Sequence, residues 1–493
     1  MRILVTGGSG VIGEGVLPAL LRDGHEVRLL SRGAEEEARR WPERVEAFAG
    51  DVSRAASLRG AAEGCEVVVH ITGIVDEQPP EITFQSVNVE GTRNVVAEAE
   101  RAGVRRFAYL SSLGADRGQS PYHHSKREGE AIATEFHGET VILRPGNVYG
   151  PGDDVISLLL KMMRTLPAIP VIDAGDQPFQ PIWYVDLGEA VARVLVGDAG
   201  GQTLALTGAE VTSTNDLVER LSAITGRKPA RIPLPSLLVA AGTKLAGAAG
   251  VELPINESKL TMLLEANVLP PGVPNGLDLL GVTPTPLDTA LRALAELLPE
   301  QPAESGVGAL ERKRYWADIE GSRYDAPRLL ALFRERATEL MAIEFDPEPG
   351  QAKAVEEGAT LTAALPLRGT IQMRVVEATP GRITFATLEG HPLAGVVRFS
   401  TAPEGNTIRF LVEIVARAAT LFDLISMKTV GGMMQRANWE GVVQGVVDLS
   451  GGSVSAGTQS ESVALEDAEA GAAEEELRAL IAAQKRKEHA GAV

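Results

Sequence analysis

The opening stretch MRILVTGGSGVIGEGVLPALLRDG constrains the fold of this chain more than any later segment. An apolar β-branched run, Ile3 to Val5, leads into Gly7, Gly10 and Gly13 at GxxGxxG spacing, and the helical pattern VLPALLRDG follows. Glycines are required where a chain turns sharply out of a strand and its backbone must approach a pyrophosphate, whose charge then rests on the helix N-terminus. A glycine triplet alone says little. Set between a strand and a helix it predicts a dinucleotide site.

Short β-branched runs then alternate with helical patterns: EVRLLS, VEAFAG, VVVHITG, a helix from about Val87, RFAYLSS and TVILRP. Such alternation builds a parallel sheet with helices on both faces. Residues 1–300 are therefore expected to form the nucleotide-binding domain, whose proline-rich and more helical part from about 200 supplies a substrate lobe. Residues 301–310, QPAESGVGAL, read as a linker. From 311 to 450 a helical stretch around PRLLALFRERATELM precedes four strand-like runs separated by PG, GHP and PEGN turns, and a long helical segment from about Ala419 to Val447 follows. Residues 451–493 read as a flexible acidic tail with a terminal helix.

The second strand ends at Leu30, where a site for NAD(H) often places a carboxylate against the ribose 2′-hydroxyl. Here Ser31 and Arg32 follow, and a hydroxyl with a guanidinium suits a 2′-phosphate, so NADP(H) is favoured over NAD(H). After the third strand, Asp51-Val52 is placed to touch the adenine, or Asp51 caps the segment VSRAASLRG.

Tyr122 and Lys126 stand four apart in SPYHHSKREGE, a spacing that puts both on one helix face. An ammonium beside a phenol stabilises the phenolate. Tyr122 is thus a candidate general acid/base, with Lys126 lowering its pKa. The ordered set TGGSGVIG, GDV, VVVHITG, VNVEGTRNV, YLSSLGA, YHHSK and RPGNVYGPGD resembles the extended short-chain dehydrogenase/reductases. The resemblance implies a doubly wound parallel Rossmann sheet and Ser112, or its neighbour Ser111, as the hydroxyl that polarises a substrate oxygen beside Tyr122 and Lys126. It also implies that Asn88 supports the site. The expected cofactor set is Gly7, Gly10, Val11, Ile12, Gly13, Ser31, Arg32, Asp51, Val52, Thr72, Gly73, Lys126 and Pro145. Within that group, YLSSLGAD, SKREGE and LLEANVLPPGVPNGLDLLGVTPTPLDTAL look like the atypical branch related to the 39-kDa-type accessory subunit of respiratory complex I.

The segment 311–450 resembles START-type helix-grip domains in RYWADIEGS, TLEGHPLAGVVRF and the long closing helix. An α+β helix-grip unit is therefore expected, with a hydrophobic ligand against which Trp316, His391 and Trp439 are candidate lining residues. The fold class is α/β followed by this α+β domain.

A formal charge of −19 argues against a general affinity for nucleic acid or anionic lipid. Cys65, the single cysteine, beside VVVH, reads as a small buried residue. His123 and His124 have no partner at metal-ligand spacing, so no metal site is expected. Asp186 in WYVDLGEAV reads as a helix cap. Without a secretory pattern at the start, and with the apolar run 237–251 broken by Lys244 and glycines, a cytoplasmic chain with no transmembrane segment is expected. The function that follows is NADP(H)-dependent hydride transfer between a carbonyl and an alcohol on a small-molecule substrate. Its alternatives are a sugar-nucleotide epimerase or dehydratase, and a non-catalytic NADPH-binding assembly protein or sensor. Oligomeric state is not legible.

Overall fold

The computed structural model describes residues 1–493 apart from 43, 166–167, 198, 238, 240–264, 266, 297, 341–344, 348–354, 366–368, 421–422, 425–431 and 493. Its chain divides into two compact units, one of Met1–Leu297 with Arg486–Val493 and one of Leu298–Lys485.

The first unit is built on seven strands. They are β1 (Arg2–Thr6), β2 (Glu26–Ser31), β3 (Val45–Ala49), β4 (Val67–His70), β5 (Arg106–Leu110), β6 (Glu139–Pro145) and, after three short strands, β10 (Thr203–Leu206). Every pairing among them is parallel, in the order β3-β2-β1-β4-β5-β6-β10. Parallel strands with both faces covered must be apolar throughout, and Ile3, Leu4 and Val5 are all buried, as are Val67, Val68 and Val69. Strand order reverses direction between β1 and β4, so a crevice opens beyond their carboxyl ends, at Thr6 and His70.

One face is covered by α1 (Val11–Arg22) and α6 (Tyr184–Val196). These two helices cross where a Cβ on Gly188 would stand 2.1 Å from the Gly15 carbonyl oxygen, a contact that only glycine permits. The other face carries α3 (Glu90–Arg101) and α4 (Pro121–Thr134), the latter opened by Ser120, whose hydroxyl accepts from the His123 N–H at 3.2 Å. A separate apolar cluster joins α5 (Ile156–Thr165), α7 (Thr214–Thr225) and α9 (Leu287–Glu296), with α8 (Gly276–Leu279) preceding the last of these. The short strands pair as β7 (Val148–Tyr149) with β9 (Ile182–Trp183), and β8 (Ala168–Ile172) with β11 (Ala230–Leu234). The apolar run at 237–251 lies almost wholly outside the described residues.

The second unit is an eight-stranded antiparallel sheet ordered β13-β14-β15-β16-β17-β18-β12-β19. Its strands are β12 (Val307–Glu320), β13 (Phe345–Pro347), β14 (Thr360–Leu365), β15 (Gly369–Ala378), β16 (Arg382–Thr387), β17 (Leu393–Glu404), β18 (Thr407–Ala418) and β19 (Gln459–Ala464). Tyr315, Ala317, Ile319, Val397, Phe399, Phe410, Val412 and Ile414 alternate onto one face. There they pack with α10 (Ala326–Glu335), the short α11 (Ala337–Leu340) and α12 (Gly432–Ser450). The opposite face carries a smaller apolar cluster that includes Val396, Val415 and Leu477 of α13 (Asp467–Ala492).

Three features differ from what the sequence alone suggests. β12 begins inside the stretch read as linker, and its outward residues are so polar that the period-2 pattern is masked. Trp316 lies on the outward row of β12, where the Arg409 guanidinium sits 5.9 Å from its ring, so it does not line the interior. The tail is not free: residues 459–464 pair with β12 as an edge strand, and the His489 ring stacks on Trp41 at 3.8 Å. Among the described residues no helix is long and apolar enough to cross a membrane, and no cluster of His, Cys, Asp and Glu is arranged to hold a metal.

Candidate active site

Gly7 leaves β1 at φ +71°, and a Cβ there would stand 2.8 Å from the Thr72 backbone, so the loops after β1 and β4 touch. Gly13 is packed so closely on the loop that its Cβ would lie 2.0 Å from the Gly8 carbonyl oxygen. Gly10 is different. It occupies the N-cap of α1, no side chain caps the helix, and a Cβ there would meet nothing within 4 Å. The first-turn N–H groups, with half-buried Val11 and Ile12, therefore face an open cradle suited to an anion.

Beneath this crevice runs a buried polar chain. Thr92 Oγ1 donates to the Asn88 carbonyl at 2.6 Å, so its oxygen is left to accept from His70 Nε2 at 3.2 Å. His70 Nδ1 then accepts from Thr6 Oγ1 at 2.7 Å, and Thr6 accepts from the Thr72 N–H at 3.3 Å. Burial, reinforced by the Lys126 charge, pushes His70 down to about 3 and keeps the ring neutral. Asn88, on the π-helical turn Phe84–Val89, accepts from the Ile74 N–H at 2.8 Å and donates to Ser125 Oγ at 2.9 Å. It thereby ties the loop after β4 to α4.

Ser111 and Ser112 have separate roles in the geometry. Ser111 Oγ donates to Glu130 Oε1 at 2.5 Å, and Glu130 is further held by Arg144 at 2.7 Å. Ser112 is the hydroxyl that acts on the Tyr122 phenol. Lys126 Nζ donates to the Leu110 carbonyl at 2.6 Å, lies 4.8 Å from the Tyr109 ring centre, and would be 3.2 Å from a Cβ on Gly73. Ser112, Tyr122, Lys126 and Gly73 thus gather at the carboxyl ends of β4 and β5, and Pro145, closing β6, accepts from the Leu113 N–H at 2.9 Å beside them.

The expectation that Lys126 lowers the Tyr122 pKa is not met. Burial dominates and lifts the phenol to about 12, only partly offset by the Ser112 hydrogen bond. Such a phenol holds its proton at neutral pH, which is the state needed to donate one. Burial also lowers Lys126 to about 8 from 10.5, with the Glu130 carboxylate opposing. The unfolded chain then holds more protons than the native one between pH 8 and 10.5, so stability should rise with pH across that window. Tyr122, raised above its ordinary value, works in the opposite sense above pH 10. Between pH 8 and pH 10 the melting temperature of the wild type should therefore climb relative to that of Lys126→Met; a falling difference would contradict the burial of the ammonium.

At the far end of the crevice, Arg32 is exposed at the close of β2, and its charge contributes to lowering the Asp51 pKa, as do hydrogen bonds from Ser53; burial, the largest single influence, opposes them. Asp51 Oδ1 accepts from Ser53 N and Oγ, at 2.9 and 2.7 Å, so it stabilises its own turn; Arg54, not Asp51, precedes the short helix at 55–58. Val52 is buried against Gly91, and its carbonyl accepts from Asn94. Ser31 Oγ donates to Glu37 Oε2 at 2.7 Å, which brings a carboxylate to the Ser31 hydroxyl. Glu37 has no motif to announce it. Glu130 carried a faint signal, standing four residues after Lys126 on α4.

Two further residues serve packing. His123 is buried, bonded through Nδ1 to Ser120 Oγ at 2.9 Å and near Glu265 at 2.8 Å, whereas His124 is exposed. Asp186 is in the first turn of α6 but not its cap; it accepts from Thr285 N and Oγ1, at 2.8 and 2.7 Å, just before α9.

Comparison with known proteins agrees with this geometry. Residues 3–204 match the NAD dependent epimerase/dehydratase family. The chain is similar to a ceramide reductase of Caulobacter vibrioides, 31% identical over 194 residues, which cover 39% of this chain and 59% of that one. It is also similar to the mitochondrial NADH dehydrogenase [ubiquinone] 1 alpha subcomplex subunit 9 of Mus musculus, 28% identical over 235 residues, 47% of this chain and 62% of that one. A 3-beta-hydroxysteroid dehydrogenase of Mycolicibacterium neoaurum is 32% identical over 184 residues, 31% of this chain and 50% of that one. The chain thus spans about 50–62% of the length of these relatives. Among solved structures, UDP-glucose 4-epimerase of Thermus thermophilus in complex with NAD aligns at a TM-score of 0.47 and 22% identity, over 60% of this chain and 98% of that one. Over residues 3–204 the chain is therefore similar to the NAD dependent epimerase/dehydratase family, in the part that carries the glycine loop, Tyr122 and Lys126.

Proposed function

We propose that the protein is an NADP(H)-dependent oxidoreductase that interconverts a ketone and a secondary alcohol on a hydrophobic substrate. The observation that carries this reading is the pairing of Ser112 with a protonated Tyr122 beside a buried Lys126, at the switch point of the sheet. A bound reduced nicotinamide supplies the hydride. Ser112 and Tyr122 would hold the substrate carbonyl oxygen, and the Tyr122 hydroxyl would pass its proton to that oxygen as the carbon is reduced. Lys126, anchored on Leu110, would bond the nicotinamide ribose and supply positive charge to the phenolate left behind. Glu130, fixed by Arg144, keeps Ser111 out of this exchange.

The hydrophobic substrate class rests on the similarity to a ceramide reductase and a steroid dehydrogenase. The test is NADPH consumption by the full chain with long-chain and steroid ketones beside UDP-sugars. Ketone-dependent oxidation supports the reading. Turnover of UDP-sugars without net NADPH loss would replace it with epimerisation, and no turnover of any kind would leave the assembly or sensor role, which the likeness to the mouse complex I subunit favours.

NADP(H) preference is the finer part of the proposal. Arg32 is free to meet a 2′-phosphate, while Glu37 beside Ser31 opposes it. Arg32→Ala should weaken NADPH binding about tenfold, ~1.4 kcal/mol, and leave NADH nearly unchanged. Glu37→Gln should tighten NADPH. Nicotinamide fluorescence titration reads both, and equal losses for the two nucleotides in Arg32→Ala would remove the preference.

For the second unit, we propose a helix-grip fold with an apolar ligand between sheet and helix. Trp439 faces the interior 6.0 Å from Phe399, and its buried Nε1 has no hydrogen-bond partner among the described residues. His391 is buried in the turn before β17, bonded to Leu393 at 3.1 Å, which favours a structural role.

A further inference from the structure

The outward face of the second unit's sheet bears an unusual row for a chain of net charge −19. By register, Arg314 of β12 stands opposite Glu413 of β18, and Glu413 stands opposite Arg398 of β17. Arg312 belongs to the next outward row, one pleat along, opposite Val415. Adjacent strands lie about 4.8 Å apart, so three guanidiniums converge around one carboxylate. They line a cleft of about 300 Å³ roofed by the first turns of α13.

A ladder of ion pairs satisfies the donors that build it. This cluster does not. Arg314 Nε reaches Glu413 at 2.8 Å, and Arg398 reaches Glu476 at 2.9 Å but Glu413 only at 3.6 Å. Arg398 is only 11% exposed, and its Nε is buried without a hydrogen-bond partner among the described residues. Arg312 approaches Glu413 and Glu469 no closer than 3.9 Å and makes no side-chain hydrogen bond among the described residues. Glu469 and Glu476, which balance the charge, are 59% and 44% exposed on the helix rim, where water screens them. Arg312 and Arg398 thus present unused donors on the cleft floor, where three guanidiniums face one carboxylate and the two balancing glutamates lie on the exposed rim; planar guanidinium forks bind phosphoryl or carboxylate oxygens bidentately.

We propose that this cleft is a binding site for a phosphate-class oxyanion, borne by a small molecule or a lipid headgroup, with Arg312, Arg314 and Arg398 as its donors and Glu469 as the rim carboxylate that limits its affinity. Arg312 is the informative position, because it contributes no hydrogen bond to the fold. Binding of inorganic phosphate to the full chain is measured calorimetrically against sodium chloride at matched ionic strength, and co-sedimentation is measured with phosphatidylcholine vesicles with and without phosphatidylglycerol.

Arg312→Gln is expected to weaken binding roughly tenfold without lowering the melting temperature, and Glu469→Gln to strengthen it several-fold. Comparison of the variants isolates this cleft from any phosphate bound at the nucleotide crevice. Arg312-dependent binding of phosphate alone identifies a soluble ligand, and of anionic vesicles alone a headgroup; either supports the site. Affinities for both probes that are the same in wild type, Arg312→Gln and Glu469→Gln, or no binding beyond that of chloride, would overturn it.

Discussion

Tyr122→Phe is expected to reduce ketone turnover by roughly 10²–10⁴-fold while leaving nucleotide affinity unchanged. Removing the hydroxyl deletes the proton donor, but the ring keeps its packing against Phe84, 6.2 Å away between centroids. Because burial raises the phenol to about 12, the wild-type reduction rate should stay flat through neutral pH rather than fall with a group titrating near 7. Single-turnover oxidation of bound NADPH measures the step directly. A Phe variant that retains wild-type turnover would move the proton source elsewhere and dissolve the proposed role of Ser112 with it.

The glycine loop offers the second large effect, as a contrast between neighbours. At Gly10 an added methyl group meets no protein atom within 4 Å, so Gly10→Ala should melt at the wild-type temperature. The same methyl would fill the cradle at the α1 N-terminus, and NADPH affinity should fall at least about tenfold, ~1.4 kcal/mol. At Gly13 the methyl would lie 2.0 Å from the Gly8 carbonyl oxygen, a backbone atom that cannot swing aside. Gly13→Ala should therefore cost about 1–3 kcal/mol of stability as well as on the order of 10²-fold in affinity. Thermal melts and fluorescence titrations separate the two. If Gly10→Ala binds NADPH like the wild type, the cradle is not where the pyrophosphate lies.

Legibility in the sequence followed the physics of each element. The parallel strands could be read because burial on both faces makes runs such as Val67–Val69 continuously apolar, and the loop glycines because no other residue fits where Gly7 turns at positive φ. β12 was hidden because its outward residues Arg312, Arg314 and Asp318 are charged while only alternate positions are buried. β19, with every residue exposed, has no burial pattern at all. Strand alternation explains the misplacement of Trp316: a large aromatic suggests a cavity, but the register of β12 put it on the outward face under Arg409.

The candidate site shows the same division. Tyr122 and Lys126 are visible because their spacing is local to one helix. Glu130 with Arg144, Glu37 on Ser31, and the Thr6, His70 and Thr92 chain depend on residues brought together from separate elements. Two adjacent serines could not be told apart in the sequence; a buried carboxylate 19 positions along the chain holds Ser111, and this supports Ser112 for the proposed role. The direction of the Tyr122 shift was likewise beyond sequence, since it depends on how much solvent the fold removes.

The most direct test is hydrogen–deuterium exchange of the full chain with and without saturating NADPH. Protection should appear at residues 7–13, 31–33 and 72–73, the segments that surround the carboxyl ends of β1, β2 and β4, with little change across 307–320 and 393–418. Absence of protection in those three segments, or protection confined to the sheet of the second unit, would contradict a dinucleotide site at the β1–α1 turn.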